Sequence, residues 1–76
     1  METFVERMQI EYNELTERLT KLRVFVKSDK FAQLSAIQRD LLQQQENAME
    51  TYARVLSQRI MLNGGKISNA RNYEQY

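Results

Sequence analysis

Apolar residues recur along the first third of the chain at alternating spacings of three and four residues. The series is Val5, Met8, Tyr12, Leu15, Leu19, Leu22 and Val26. Seven successive matches to a heptad template are typical of a helix that buries one face, and are not expected of a strand or a loop. Acidic residues lie toward the start of this segment and basic residues toward its end, the order that the helix dipole favours. The pattern predicts a helix over residues 2–27.

The apolar spacing breaks after residue 27 and resumes eight residues later. Ser28 and Asp29 interrupt it, while Ser35 followed by Gln38 has the arrangement of a capping box. We therefore predict a connection over residues 28–35, with a short extra helical turn at 29–33 as an option, and a second helix over 36–63. Paired glycines end that helix, and residues 64–76 are predicted to form a polar flexible tail or flap.

Two helices of similar length with a short connection are expected to pack as antiparallel neighbours. At ~1.5 Å per residue each of them spans about 40 Å. The acidic start of the first helix then lies beside Arg54 and Arg59 at the end of the second, so the charges favour the same pairing. The predicted fold class is all-α, an antiparallel two-helix hairpin over residues 1–63.

The second helix carries more apolar surface than one partner helix can cover. One stripe comprises Leu41, Ala48, Val55 and Leu62, and an adjacent stripe comprises Leu42, Met49 and Leu56. A chain of 76 residues hides only ~60 % of its unfolded surface, and this sequence has no cysteine or histidine for a disulfide or a zinc site. We therefore predict a homo-oligomer with cyclic or dihedral symmetry, in which copies cover the surplus stripe.

Composition and charge argue against several functional classes. The formal net charge is +1, whereas a protein that coats nucleic acid presents a strongly basic face, so nucleic acid is not an expected partner. No apolar run approaches the ~20 residues of a membrane span, and no membrane partner is expected. Without histidine or cysteine the chain lacks the commonest general base and the best nucleophile. We predict a binding protein rather than an enzyme, with no cofactor and no metal.

A polar line between the two stripes of the second helix carries the strongest candidates for ligand binding. Gln45, Tyr52 and Arg59 recur every seven residues. A guanidinium recognises phosphate through two parallel hydrogen bonds and a tyrosine ring can stack on a base, which suits an anionic ligand held where protomers meet. A structural role is the alternative, with Arg59 pairing Glu6 or Glu11 and Tyr52 bonding a backbone group.

The first helix supplies four further candidates of the same type, Arg7, Tyr12, Asn13 and Arg18. Tyr12 occupies a position of the apolar series, so a place in the core is the simpler interpretation. Arg18 lies one turn after Glu14, and an ion pair within the helix is its alternative role. The residues alone leave both interpretations open.

Both helices resemble those of a known family. On the first helix the strings are Glu-Arg-Met at 6–8 and Glu-Tyr-x-Glu-Leu-x-x-Arg-x-x-Lys-Leu at 11–22. On the second the string is Leu-Leu-x-x-Gln-x-x-Ala-Met-x-x-Tyr-x-x-Val-Leu-x-x-Arg at 41–59. These strings are similar to the hairpin-domain family of phage anti-CBASS and anti-Thoeris sponges. The resemblance covers about residues 4–60 and leaves out the tail.

The resemblance implies a homo-oligomer, hexameric in known members, that sequesters host immune signals without cleaving them. Such signals are cyclic dinucleotides, cyclic trinucleotides or cyclic ADP-ribose derivatives, and the expected location is the host cytoplasm. Pockets lie between protomers in this family. By position, the residues expected to line or shape them are Arg7, Tyr12, Arg18, Gln45, Tyr52 and Arg59.

One departure from the family concerns an aromatic residue. Some members carry it on an N-terminal extension, where it stacks on the ligand. Here either Tyr73 or Tyr76 of the tail replaces it, or the site for a dinucleotide is lost. The competing hypothesis for the whole chain is an oligomeric coiled-coil structural or regulatory protein that acts through protein contacts alone.

Overall fold

Three helices make up the part of the chain that the computed structural model describes, residues 3–67. They are α1 (Phe4–Val26), α2 (Asp29–Ala32) and α3 (Ala36–Leu62). No strand occurs within these residues, and the all-α prediction is confirmed. The short helical turn foreseen in the connection is present as α2, so the hairpin has three helices rather than two.

Hydroxyl side chains cap the starts of both long helices. The Thr3 hydroxyl accepts a hydrogen bond from the backbone N–H of Glu6 (3.1 Å), and the Glu6 carboxylate accepts one from the backbone N–H of Thr3 (2.9 Å). Hydrogen bonding of the Glu6 carboxylate to Thr3, chiefly to its backbone N–H and then to its side chain, holds the pKa of Glu6 below its usual value. Ser35 accepts a bond from the backbone N–H of Gln38, so α3 begins where the sequence predicts with half of the capping box formed.

The core lies between α1 and the second half of α3. It comprises Met8, Tyr12, Leu15, Leu19, Ala53, Leu56 and Ile60. The start of α1 contacts the end of α3, because the Arg59 guanidinium lies over the Phe4 ring. Further along α1, Arg23 pairs with Glu46 and Glu50 of α3. The two long helices are therefore antiparallel, and the four α1 residues in the core all belong to the predicted apolar series.

The chain turns back onto α1 after α3. Gly64 has a φ of +84°, a left-handed conformation that glycine adopts without strain. The N–H of Gly65 donates to the Ile60 carbonyl (2.9 Å), and the Gln9 side-chain amide donates to the Lys66 carbonyl (3.0 Å). Ile67 packs against the core. The segment predicted as a tail thus begins with residues that contact the hairpin, while Tyr73 and Tyr76 lie outside the described residues.

Gly65→Ala is expected to destabilise the hairpin. An added Cβ would lie 2.6 Å from Cγ1 of Val5 and 2.7 Å from Cγ2 of Ile60. Such overpacking costs about 1–3 kcal/mol, and a thermal melt followed by circular dichroism should show the lower Tm. Gly64→Asn is the matched control, because nothing lies within 4 Å of a Cβ there and asparagine tolerates positive φ. Equal Tm values for the two variants would contradict the observed fold-back.

Candidate functional site

One side of the hairpin carries two rows of side chains, each with a spacing of seven residues. The α1 row is Phe4, Glu11, Arg18 and Phe25, and the α3 row is Gln38, Gln45, Tyr52 and Arg59. All are exposed except Phe25, which is half-buried. We call this surface the open face.

Contacts at the two ends of the open face establish which residues are opposite one another. At one end the Cζ atom of Arg59 lies 5.9 Å from the centroid of the Phe4 ring. At the other end Phe25 and Gln38 line the same cavity. Both rows advance by seven residues per step in opposite directions, so the middle of the face has Glu11 opposite Tyr52 and Arg18 opposite Gln45.

Four of the six predicted binding residues lie on the open face: Arg18, Gln45, Tyr52 and Arg59. Arg7 is also exposed and lies at the margin of this face, one helical turn from both Phe4 and Glu11. The structure therefore brings the polar line of α3 together with the basic residues of α1. These positions could be predicted from the heptad spacing, but the pairing between the rows required the register of the two helices.

Tyr12 lies apart from the other predicted residues. It is 1 % exposed and belongs to the core, as its place in the apolar series suggests. Its ring also borders a cavity of about 310 Å³ that is lined by Gln9, Asn13, Lys66 and Ile67 as well. That cavity could not be foreseen from the sequence, because it depends on the turn of the chain back onto α1 after Gly64.

Arg59 is held by an aromatic ring rather than by a carboxylate. Within residues 3–67, the ion pairs are Lys21 with Glu17 and Arg23 with Glu46 and Glu50. The predicted structural pairing of Arg59 with Glu6 or Glu11 is therefore not formed in this part of the chain. The cation–π contact with Phe4 leaves Arg59 exposed and without a carboxylate partner in these residues, which suits recognition of an anion.

Arg18 and Arg59 of one chain are too far apart to hold the same small ligand. Gln45, which lies opposite Arg18, precedes Arg59 by two heptads, a separation of ~21 Å along the helix axis. Tyr52 lies midway between them. A nucleotide-sized ligand on the open face of a single chain therefore contacts Arg18 or Arg59 but not both, and near Arg59 the additional cation of the same chain is Arg7 at the margin of the face.

A second cavity, of about 350 Å³, lies at the α2 end of the open face. Its lining is Phe25, Leu34, Gln38, Leu41 and Leu42. The Phe25 ring contacts Phe31 edge-on, with centroids 6.1 Å apart and an interplanar angle of 87°. This apolar cavity was not predicted, although Leu41 belongs to the apolar stripe of α3 that the sequence analysis identified.

The surplus apolar stripe of α3 is exposed beside the open face. Leu42, Met49 and Leu56 turn toward α1, whereas Leu41, Ala48, Val55 and Leu62 do not. Leu41 is 56 % exposed and Leu62 is 85 % exposed. The stripe is thus available to another polypeptide.

Within residues 3–67, no helix is long and apolar enough to cross a membrane. These residues also contain no group of three or more acidic, histidine or cysteine side chains that could hold a metal ion.

Comparison with known proteins identifies the family. The model of the Sequestin family matches residues 2–62, which contain all three helices and both rows of the open face. The chain belongs to the Sequestin family. A protein described as an uncharacterized 7.5 kDa protein in the denB-rIIB intergenic region of Enterobacteria phage T4 is 35 % identical over 60 residues, which are 79 % of this chain and 94 % of the relative. No solved structure gives a significant match.

Sequestin membership confirms the family resemblance inferred from the helix strings. Together, the family and the phage relative indicate a phage sequestering protein, with a binding role rather than a catalytic one. The matched range ends before the turn of the chain onto α1 at Gly65 and Ile67. The open face lies wholly inside that range and is therefore the candidate binding site.

Proposed function

We propose that the chain is a phage anti-defence sponge for a cyclic oligonucleotide or cyclic ADP-ribose-type immune signal. It acts in the host cytoplasm and holds the signal without cleaving it, in pockets between the copies of a homo-oligomer, a hexamer. The observation that carries this proposal is the alignment of Arg59, Tyr52 and Gln45 on an exposed face of a chain from a sequestering family.

The chemistry of these three side chains matches a phosphate-containing ring compound. Arg59 offers paired N–H donors to a phosphate, and its contact with Phe4 reduces the conformational entropy lost on binding. Tyr52 lies about 10 Å along the helix and offers a ring face to a base. Gln45 can donate to and accept from the edge of a base. Arg7 at the margin adds positive charge, and Tyr12 supports the helix from the core.

A single hairpin presents these groups on an open surface rather than in an enclosed pocket. Tight retention of a small anion requires that water be excluded around it, and small-ligand sites usually bury most of the ligand. Neighbouring copies would supply the missing walls, and the exposed stripe with Leu41, Val55 and Leu62 gives them an apolar surface on which to dock. Assembly and binding are thus served by adjacent surfaces of the same helix.

Binding without cleavage agrees with the side chains of the open face. Arginine and glutamine are not nucleophiles, and a tyrosine phenol needs activation by a general base before it can attack a phosphodiester. The commonest such base, histidine, does not occur in the chain. We therefore expect the ligand to be released from the protein chemically intact.

A melting-shift screen tests the proposed function. The purified chain is heated with members of each ligand class: cyclic dinucleotides, cyclic trinucleotides and cyclic ADP-ribose derivatives. A ligand at 100 times its Kd adds about 2.7 kcal/mol to stability per site, which raises Tm by roughly 10 °C or more for a domain of this size. The bound compound should be recovered intact after heat denaturation, as judged by chromatography. No shift with any member, or recovery of a cleaved product, contradicts the proposal.

The exposed apolar stripe of α3 also supports the competing function, a coiled-coil structural or regulatory protein. Such a protein would assemble through the stripe and use no small ligand. The same screen separates the two functions, because the structural protein would form the oligomer and show no nucleotide-dependent shift.

A further inference from the structure

The α1 row of the open face has an aromatic ring at each end and two opposite charges between them, so its order of side-chain types is symmetric except for the sign of the charge. Read from its start, it presents an aromatic ring, an acid, a base and a second aromatic ring at Phe4, Glu11, Arg18 and Phe25. In an antiparallel pair of such rows, each acid lies opposite a base and each ring opposite a ring. The row is therefore complementary to a second copy of itself.

One twofold axis satisfies all of these pairings together. The midpoint between Phe4 and Phe25 falls between residues 14 and 15, and so does the midpoint between Glu11 and Arg18. An axis through that point, perpendicular to the helices, produces a self-complementary contact with two reciprocal ion pairs. Neither Glu11 nor Arg18 has an ion-pair partner within residues 3–67, so both are available for the contact.

The cavity beside Phe25 provides a place for the aromatic end of the row. Phe4 is 48 % exposed although it is large and apolar. The cavity of about 350 Å³ has Phe25, Leu34 and Leu41 among its lining residues. Within one chain, Phe4 and this cavity are separated by roughly 30 Å along α1. In the antiparallel pair, Phe4 of each copy comes to the cavity of the other, where its ring can be buried against apolar side chains.

We infer that the open face is an interface between two copies packed face to face and antiparallel, with Glu11 of each copy paired to Arg18 of the other. This inference rests on the homo-oligomer of the proposed function and specifies its building block. It assigns Arg18 to the interface rather than to the ligand. Higher assemblies would then form from such pairs through the apolar stripe of α3.

The same axis brings the two α3 rows opposite each other and completes the ligand site. Arg59 of one copy lies opposite Gln38 of the other, and Tyr52 lies opposite Gln45. The two α3 rows end in polar side chains, Gln38 and Arg59, and they have neither the ring pairs nor the ion pairs that join the two α1 rows. They consequently line a cleft that contains guanidinium, phenol and carboxamide groups from both copies. A ligand in this cleft contacts residues that a single chain cannot bring together.

Complementary charge reversals test this interface. Glu11→Arg and Arg18→Glu each place like charges opposite one another in a pair of identical copies. Disrupting such close charge pairs costs at least about 2 kcal/mol, so each variant alone should dissociate roughly 30-fold more readily in sedimentation equilibrium. An equimolar mixture of the two variants restores both ion pairs, because the two bases of one chain then face the two acids of the other. The mixture should associate with nearly the wild-type constant and form complexes that contain equal numbers of the two chains.

Glu17→Arg is the matched control, since Glu17 carries the same charge on α1 but pairs locally with Lys21, away from the open face. Its association should equal that of the wild type. Self-association of either single variant at wild-type strength would overturn the interface, and so would failure of the mixture to associate. If either single variant self-associates at wild-type strength and still shows a ligand-dependent melting shift, the interface is rejected and the sponge function is retained. If the mixture associates but shows no melting shift with any ligand, the sponge function is rejected and the interface is retained.

Discussion

Leu56→Glu is expected to unfold the protomer. Leu56 is 1 % exposed and lies in the core between the two long helices. The substitution removes the apolar packing of a buried leucine, and the loss of such packing on truncation costs about 2–5 kcal/mol of stability. It also places a carboxylate in an apolar core, and a chain of this size has only about 3–5 kcal/mol of stability from its core. Circular dichroism at room temperature should show loss of most of the helical signal.

Thr51→Glu provides the control for the introduced charge. Thr51 is exposed on the same helix, so the added carboxylate remains in water and the helical signal should be retained. The comparison separates burial from a general effect of negative charge on α3. A folded Leu56→Glu chain that had merely lost its oligomeric state would show that Leu56 faces another copy rather than α1, contrary to the packing described here.

Arg59→Ala is expected to abolish measurable retention of the ligand while leaving the assembly intact. Hydrogen bonds to charged groups contribute about 1.5–3 kcal/mol each. Removal of a bidentate contact with phosphate, which is two such bonds, therefore costs about 3 kcal/mol or more and lowers affinity by at least roughly a hundredfold per site. Loss of the stacking on Phe4 costs only about 0.5–1 kcal/mol, because that contact is exposed. Isothermal titration with the compound identified by the melting screen gives the affinity, and light scattering gives the assembly mass.

Arg54→Ala is the matched control for Arg59. It removes the same charge from the same helix, five residues away and therefore roughly 140° around the helix axis from Arg59. The control should bind the ligand with wild-type affinity. Equal losses in the two variants would indicate an effect of net charge, and unchanged binding by Arg59→Ala would remove Arg59 from the site.

The elements of the fold follow from local signals in the sequence. The alternation of spacings from Val5 to Val26 predicts α1, because a helix is the structure that places those positions on one face. Ser35 predicts the start of α3, since its hydroxyl can replace a missing backbone partner in the first turn. Gly64 predicts the end of that helix, where its positive φ is needed. Each of these signals acts over a few residues.

Features that depend on tertiary packing could not be predicted from the sequence. The contact of Arg59 with Phe4 in place of a carboxylate depends on the relative rotation of the two helices. The close approach of Gly65 to Val5 and Ile60 depends on the path of the chain after α3. The heptad spacing identifies both rows of the open face, but only the register of α1 against α3 determines which residues are opposite one another.

Native mass spectrometry of the purified chain with its cyclic ligand tests the central claim most directly. The chain has a mass of 9.1 kDa. We predict an oligomer that carries whole, uncleaved ligand molecules in a fixed number per assembly, with no ligand on the dissociated single chain. Ligand retained by a single chain, or an oligomer that takes up no ligand from any of the three classes, would contradict the account.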